Sequence, residues 1–201
     1  MDKKKILWIT QTAIFVALLV SAQAFTRPFG QFVTGSCVNF ILVSSCVLLG
    51  LPSASVIAVV SPLFAFVIMG IPAFPVLIPF MMAGNFVLVV AINAVYGDAE
   101  KKSYASDSPN GLQKILEKIR SRTYIKTAAA VITGAALKFL VLWFGIVRVA
   151  LSFIPDIRQP QIDAMSATFS WPQLVTALIG STLALTVMPN LKKALKFSGR
   201  G

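Results

Sequence analysis

The chain has 201 residues, of which 57% are hydrophobic and 12% charged, with a mean hydropathy of +0.82. That composition excludes a water-soluble globular fold and places the chain in lipid. Its 18 basic and 7 acidic residues give a net charge of +11, and because they flank the apolar runs they point to membrane topology rather than to nucleic acid.

The expected architecture is all-α: a polytopic bundle of six transmembrane helices, one membrane domain over residues 1–201. Most of the six apolar runs approach the roughly 20 residues needed to cross about 30 Å of hydrocarbon. The first, Ile6 to Phe25, follows Lys3, Lys4 and Lys5. Its basic start and Ala22-Gln23-Ala24 also resemble a secretory signal, for which the apolar run is long. Ala13, Ala17 and Ser21 form a small-residue stripe along it, of the kind that permits close helix contact. The second span, Val33 to Leu49, carries Asn39 near its outer end, and Cys37 and Cys46. A nine-residue separation on one helix is about 13 Å, beyond the reach of a disulfide.

The third span, Ser55 to Met69, is the shortest and contains Pro62; the fourth, Phe74 to Tyr96, contains Pro79 and Asn85. Both prolines predict kinks. Gly97 to Thr123 follows, and within it Leu112, Ile115, Leu116 and Ile119 are spaced i, i+3, i+4, i+7, which predicts an amphipathic helix over about 109–121. Lys114, Lys118, Arg120 and Arg122 direct that helix to the anionic inner leaflet, with docking on a cytoplasmic partner as the alternative. The fifth span is Tyr124 to Leu151 and the sixth Trp171 to Leu191, the latter with Thr176, Gly180 and Ala184 at four-residue spacing. Two longer connections, Thr26 to Thr34 and Phe153 to Ser170, read as outer loops able to act as lids or simply to be solvated. No internal repeat is visible, so nothing supports an inverted-repeat transporter.

The Lys and Arg of the N-terminal flank, of Lys101 to Lys126 and of Lys192 to Arg200 total fourteen on one side of the membrane, against Arg27 and Arg158 on the other. An even number of spans is consistent with that bias, so both termini are expected in the cytoplasm and the chain in the plasma membrane.

Lys138 is the most informative residue. A cation deep in a span costs at least a few kcal/mol and ordinarily faces a bundle interior or a wet cavity. It lies roughly 20 Å above the inner start of its helix, too deep to reach the inner headgroups. Asn85 falls at a similar depth. On a helical wheel Thr127, Ala130, Gly134, Lys138, Gly145 and Arg148 share one small, polar stripe, beside which either a neighbouring helix or a ligand would fit. All seven acids lie outside the spans, so the missing counter-ion of Lys138 and Arg148 reads as a carboxylate-bearing substrate. Its apolar remainder would meet Phe66, Met69, Met81, Trp143 or Trp171. Gln31, Thr34 and Asn39 are further polar candidates. The alternative for Lys138 is a structural residue satisfied by backbone carbonyls or bound water, or kept neutral by desolvation, and Arg148 sits where it would also snorkel.

The chain has no His, no intramembrane carboxylate pair and no GxxxxGK[ST] loop. Metal catalysis, acid/base dyads and nucleotide hydrolysis therefore lack their residues, and neither an enzyme nor a cofactor is expected.

Six spans, a basic inner side, polar groups in the outer half and the first-helix motif Ala13-Ile-Phe-Val-Ala17 resemble the substrate-binding S component of an energy-coupling factor (ECF) transporter. The resemblance covers the whole chain in architecture and rests locally on AxxxA alone. It implies capture of a vitamin or related micronutrient on the outer side, and then toppling against a transmembrane T component driven by two cytoplasmic ATPases. It places Ala13 and Ala17 against the T component and makes the loop after the first helix, with Gln31 and Thr34, a gate. The competing reading is a stand-alone secondary carrier for an organic anion. Neutralising Lys114 and Lys118 is expected to weaken binding of the amphipathic segment to anionic liposomes in a flotation assay; unchanged binding favours docking on a partner instead.

Overall fold

The computed structural model describes residues 2–70, 72–104 and 112–198, with side chains placed for 2–70, 72–95 and 125–191. The described residues are helical without a strand, and six helical stretches are long and apolar enough to cross a membrane. The helices are α1 (Lys3–Thr26), α2 (Gln31–Leu49), α3 (Leu51–Met69), α4 (Ile78–Tyr104), α5 (Leu112–Leu142), α6 (Gln159–Thr168) and α7 (Trp171–Ser198). α5 passes directly into a π-helical segment, Trp143–Val149, and a 3-10 turn, Ala150–Phe153.

Prolines and glycines punctuate the chain. Pro52, Pro79, Pro160 and Pro172 each occupy the second position of α3, α4, α6 and α7. In a first turn the missing proline N–H has no partner to lose, and the fixed φ favours the helix. Pro79 therefore starts α4 rather than kinking it, contrary to the sequence expectation, whereas Pro62 lies inside α3 as expected. Gly30 (φ 84°) and Gly50 (φ 91°) turn the chain into α2 and α3, and Gly70 (φ 65°) ends α3 in the left-handed conformation.

The two outer connections differ from their expectation as loops. α1 reaches α2 through a single 3-10 turn, Arg27–Phe29, and Gly30, so Gln31 and Thr34 belong to α2 and not to a gating loop. Phe153 to Ser170 contains α6, begun by Pro160 and by the Arg158 backbone N–H donating to Gln161 Oε1 at 3.1 Å. The expected amphipathic segment, 109–121, lies partly outside the described residues and otherwise in the stretch of α5 whose side chains are not described.

α2 is the central element. It buries nine residues, whereas α1 buries only Thr12 and Leu19. One apolar cluster joins Leu19 of α1 to Leu42, Ile57 and Val89; a second joins Val43 and Val47 to Leu88, Ile92, Ala130 and Leu185; a third, at the end of the bundle where α1 meets α2, joins Leu77, Leu142, Ile146 and Phe169. Lipid is as apolar as these side chains, so such helices associate through close packing and interhelical hydrogen bonds rather than through the hydrophobic effect. Small residues set the closeness. A Cβ at Gly180 would stand 2.5 Å from the Ser36 carbonyl oxygen and 2.7 Å from Asn39 Cβ, and one at Gly35 would stand 3.0 Å from Thr176. The stripe Thr176, Gly180 and Ala184 thus serves internal packing of α7 on α2. Neither Cys37 nor Cys46 forms a disulfide, and the Cys46 thiol points to the Val89 carbonyl at 3.7 Å.

Gly180→Ala presses a methyl group onto α2 backbone and is expected to cost about 1–3 kcal/mol, the range for overpacking. A lowered melting temperature in detergent, compared with an Ala184→Gly control, is the measurement that checks it.

Candidate functional site

Four of the polar groups buried in the spans, Asn39, Ser61, Asn85 and Thr176, connect to one ammonium. Lys138 Nζ donates to Asn39 Oδ1 at 2.6 Å and to Asn85 Oδ1 at 2.7 Å. Each amide nitrogen in turn donates outward: Asn39 Nδ2 to Thr176 Oγ1 at 3.4 Å and Asn85 Nδ2 to Ser61 Oγ at 3.3 Å. Those hydroxyls donate to backbone, Thr176 to the Gln173 carbonyl and Ser61 to the Ala58 carbonyl. The chain runs through α3, α4, α5, α2 and α7, so one lysine ties five helices together. Lys138 is 3% exposed and Asn39 fully buried. An ammonium has three N–H groups, and the third finds no partner among the described residues.

Burying such a group uncompensated costs far more than the few kcal/mol a protein has to spare. Two amide oxygens solvate the ammonium without neutralising it. Both contacts are short for N–H···O, as expected of a charged donor. Among the described residues that line the site none is a carboxylate, so the charge has no described protein counter-ion there.

Lys138, Asn39 and Asn85 form the floor of a cavity of about 410 Å3. Its walls include Val38, Pro62, Ala65, Met81 and Leu142, and Gln23, Arg27, Gln31, Thr34 and Gln173 stand around its mouth. Met165, Thr168 and Phe169 of the α6 region cover it from the side. The cavity belongs to the end of the bundle where α1 turns into α2 and α3 into α4, opposite the end that carries the chain termini. Arg27 donates to the Met69 carbonyl at 3.2 Å, which links the α1–α2 turn to the end of α3. Gln23 Oε1 and Thr34 Oγ1 are buried without a hydrogen-bond partner.

Of the residues singled out in the sequence, Lys138, Asn85, Asn39, Gln31 and Thr34 meet at this cavity, and Met69 and Met81 line it. Arg148, Trp143, Trp171 and Phe66 do not. The reason for Arg148 is the π-helical segment 143–149. A π turn holds more residues than an α turn, so each advances the chain by a smaller angle and Arg148 falls off the stripe projected at α-helical pitch. It is exposed and lies over the Trp143 ring, 4.9 Å from the centroid, a cation–π contact. Trp171 is 60% exposed and packs on Phe32 at 5.4 Å between centroids. Space beside the small residues of α5 and of the π-helical segment is taken by α4: Gly134 faces Leu88 and Ile92, and Gly145 faces Phe80.

Sequence reasoning missed Gln23, Ser61, Gln173 and the role of Thr176. Single polar residues on apolar helices carry no signal of which neighbour they face, although Gln23 and Gln173, near the ends of their spans, were visible as uncommon residue types there. Ala13, Ala17 and Ser21 are all exposed on α1. Comparison with known protein families, curated proteins and solved structures found no match.

Lys138→Met leaves Asn39 Oδ1 and Asn85 Oδ1 buried without a donor, a loss of about 1–3 kcal/mol for each group. The triple variant Asn39→Leu, Asn85→Leu, Lys138→Met removes both acceptors together with the cation. It is expected to melt above the Lys138→Met single variant, as read by thermal unfolding in the same detergent.

Proposed function

We propose that this chain is the substrate-capture subunit of an ECF-type importer for a small, carboxylate-bearing vitamin or related micronutrient. The observation that carries the reading is the buried Lys138, held by two neutral amides at the floor of a cavity whose lining includes no described carboxylate. A binding protein for an anion needs a cation that its own acids leave available, and a membrane cavity makes that cation costly unless the ligand completes it.

The cavity end carries Arg27 and Arg158, while the opposite end carries the N-terminal lysines and the basic C-terminal flank. With the basic side in the cytoplasm, the cavity faces outward and the chain sits in the plasma membrane with both termini inside. A capture subunit for a scarce nutrient requires that orientation. Energy would come from a T component and two ATPases, since the chain itself carries no nucleotide-binding motif. The exposed small residues Ala13, Ala17 and Ser21 on the least buried span offer the T component a close approach. A stand-alone secondary carrier is the competing reading, and the lack of carboxylates in the spans weighs against proton or sodium coupling through them.

Coexpression with an ECF module from the same source, mild-detergent pull-down and mass spectrometry are expected to recover the T component and both ATPases. Absence of all three, with the module shown to assemble with another S component, would turn the reading to a carrier. Replacing Ala13 and Ala17 together by Leu is expected to spare ligand binding and abolish uptake; normal uptake in that double variant would remove α1 from the interface.

A further inference from the structure

The cavity has three zones at different depths. Asn39 lies eight residues into α2, Asn85 seven into α4 and Ser61 eight before the end of α3, which sets the floor about 10–12 Å below the helix ends at 1.5 Å per residue. Gln23, Gln31, Thr34 and Gln173 lie within three residues of the ends of α1, α2 and α7, so the rim occupies the first roughly 5 Å. Between them the walls are aliphatic: Val38, Pro62, Ala65, Met81 and Leu142.

What the lining omits is as informative. Among the described lining residues none is acidic and Phe169 is the one aromatic. An ammonium on the ligand would therefore find no counter-charge, and a flat aromatic ring would find no pair of faces between which to stack. Arg27 at the mouth has its guanidinium on the Met69 carbonyl, which leaves Lys138 as the cation of the floor. The single floor cation matches one carboxylate, while Arg27, whose charge a carbonyl contact does not neutralise, stands at the mouth as a second cation. Beside Arg27 the rim offers neutral amides and hydroxyls, two of them without a partner: Gln23 Oε1 and Thr34 Oγ1. Rotation about their side-chain torsions brings either onto a ligand. A water molecule's share of liquid volume is about 30 Å3, so 410 Å3 corresponds to a ligand on the order of 15 non-hydrogen atoms.

We infer that the cavity takes a non-zwitterionic monocarboxylate with an aliphatic body and a neutral hydrogen-bonding group at its far end, inserted carboxylate first. The carboxylate completes the third N–H of Lys138. The body lies along the aliphatic walls, and the far group meets Gln23 and Thr34 at the rim. The inference rests on the proposed capture function and narrows its substrate class by chemistry. A floor-to-rim interval of about 5–7 Å is spanned by about five methylene groups, at roughly 1.2 Å per bond of extended chain.

The probe is 6-acetamidohexanoate, with three matched controls: 6-acetamidohexanamide, 6-aminohexanoate and 4-(acetamidomethyl)benzoate. Titration calorimetry on the detergent-solubilised full chain is expected to show the acid binding at least tenfold more tightly than its amide or the zwitterion, and more tightly than the aromatic acid. In Lys138→Met the preference for acid over amide is expected to vanish, and in Gln23→Leu the acid is expected to bind several-fold more weakly. Equal binding of the amide or zwitterion, tighter binding of the aromatic acid, an unchanged acid preference in Lys138→Met, or no binding of the acid at millimolar concentration would each overturn the inference. If Lys138→Met loses its cooperative melt, the acid-to-amide ratio of the native chain decides alone. Recovery of the T component without acid preference overturns this inference and leaves the subunit assignment standing; acid preference without that recovery does the reverse.

Discussion

A positive charge inside an apolar bundle has to be solvated by something, and here the solvation organises the molecule. The two amide oxygens on Lys138 come from α2 and α4, while Lys138 itself is on α5. The amide nitrogens then draw on Ser61 of α3 and Thr176 of α7. Five of the six spans thus share one polar network, and α1 alone stays outside it. Both amide oxygens and both hydroxyl donors in the network are matched, which favours one arrangement of the helices that share it. The third N–H of the ammonium, at the cavity floor and without a partner among the described residues, is where that satisfaction stops.

The network depends on close helix approach elsewhere. Asn39 stands beside Gly180, whose missing side chain lets α7 reach α2. Thr176, one turn earlier on α7, sits against Gly35 and accepts from Asn39. The small residues therefore do two things at once: they supply the van der Waals contact that holds helices together in lipid, and they bring the second hydroxyl within reach of the amide. The π-helical segment after α5 acts on the same region from above. It turns Arg148 out of the projected stripe toward Trp143, so the cavity keeps Lys138 as its floor cation.

α1 is the exception that gives the bundle an outward surface. It is tied to α3 by the Thr12 hydroxyl donating to Ser53 Oγ at 3.0 Å and packs on α2 and α3 through Leu19 and its neighbours, while much of the rest of the helix is exposed. Its C-terminal end nevertheless contributes Gln23, and the turn that follows contributes Arg27, to the cavity mouth. One helix therefore joins the exposed small-residue face to the rim of the site.

The class of fold was legible in composition, since six apolar runs with charges confined to their flanks have few arrangements other than six spanning helices. Lys138 and Asn85 were legible as a pair because helical rise alone puts both at one depth, and depth depends only on counting. The proline at the second position of α3, α4, α6 and α7 was a start signal in plain view, though Pro79 resembled a kink until the helix boundary was known. Azimuth was another matter. Which residues of a span face one another depends on crossing geometry and on the local pitch of each helix, so Asn39 on Lys138, Gln23 on the cavity and Arg148 on Trp143 were decided only by packing. The sequence by itself determined that a cation would be buried among apolar helices without an acid to pair with it; only the tertiary structure decided that two asparagines would solvate it and that the space above it would remain open, because side-chain direction is a property of how helices meet and not of the residues taken one at a time.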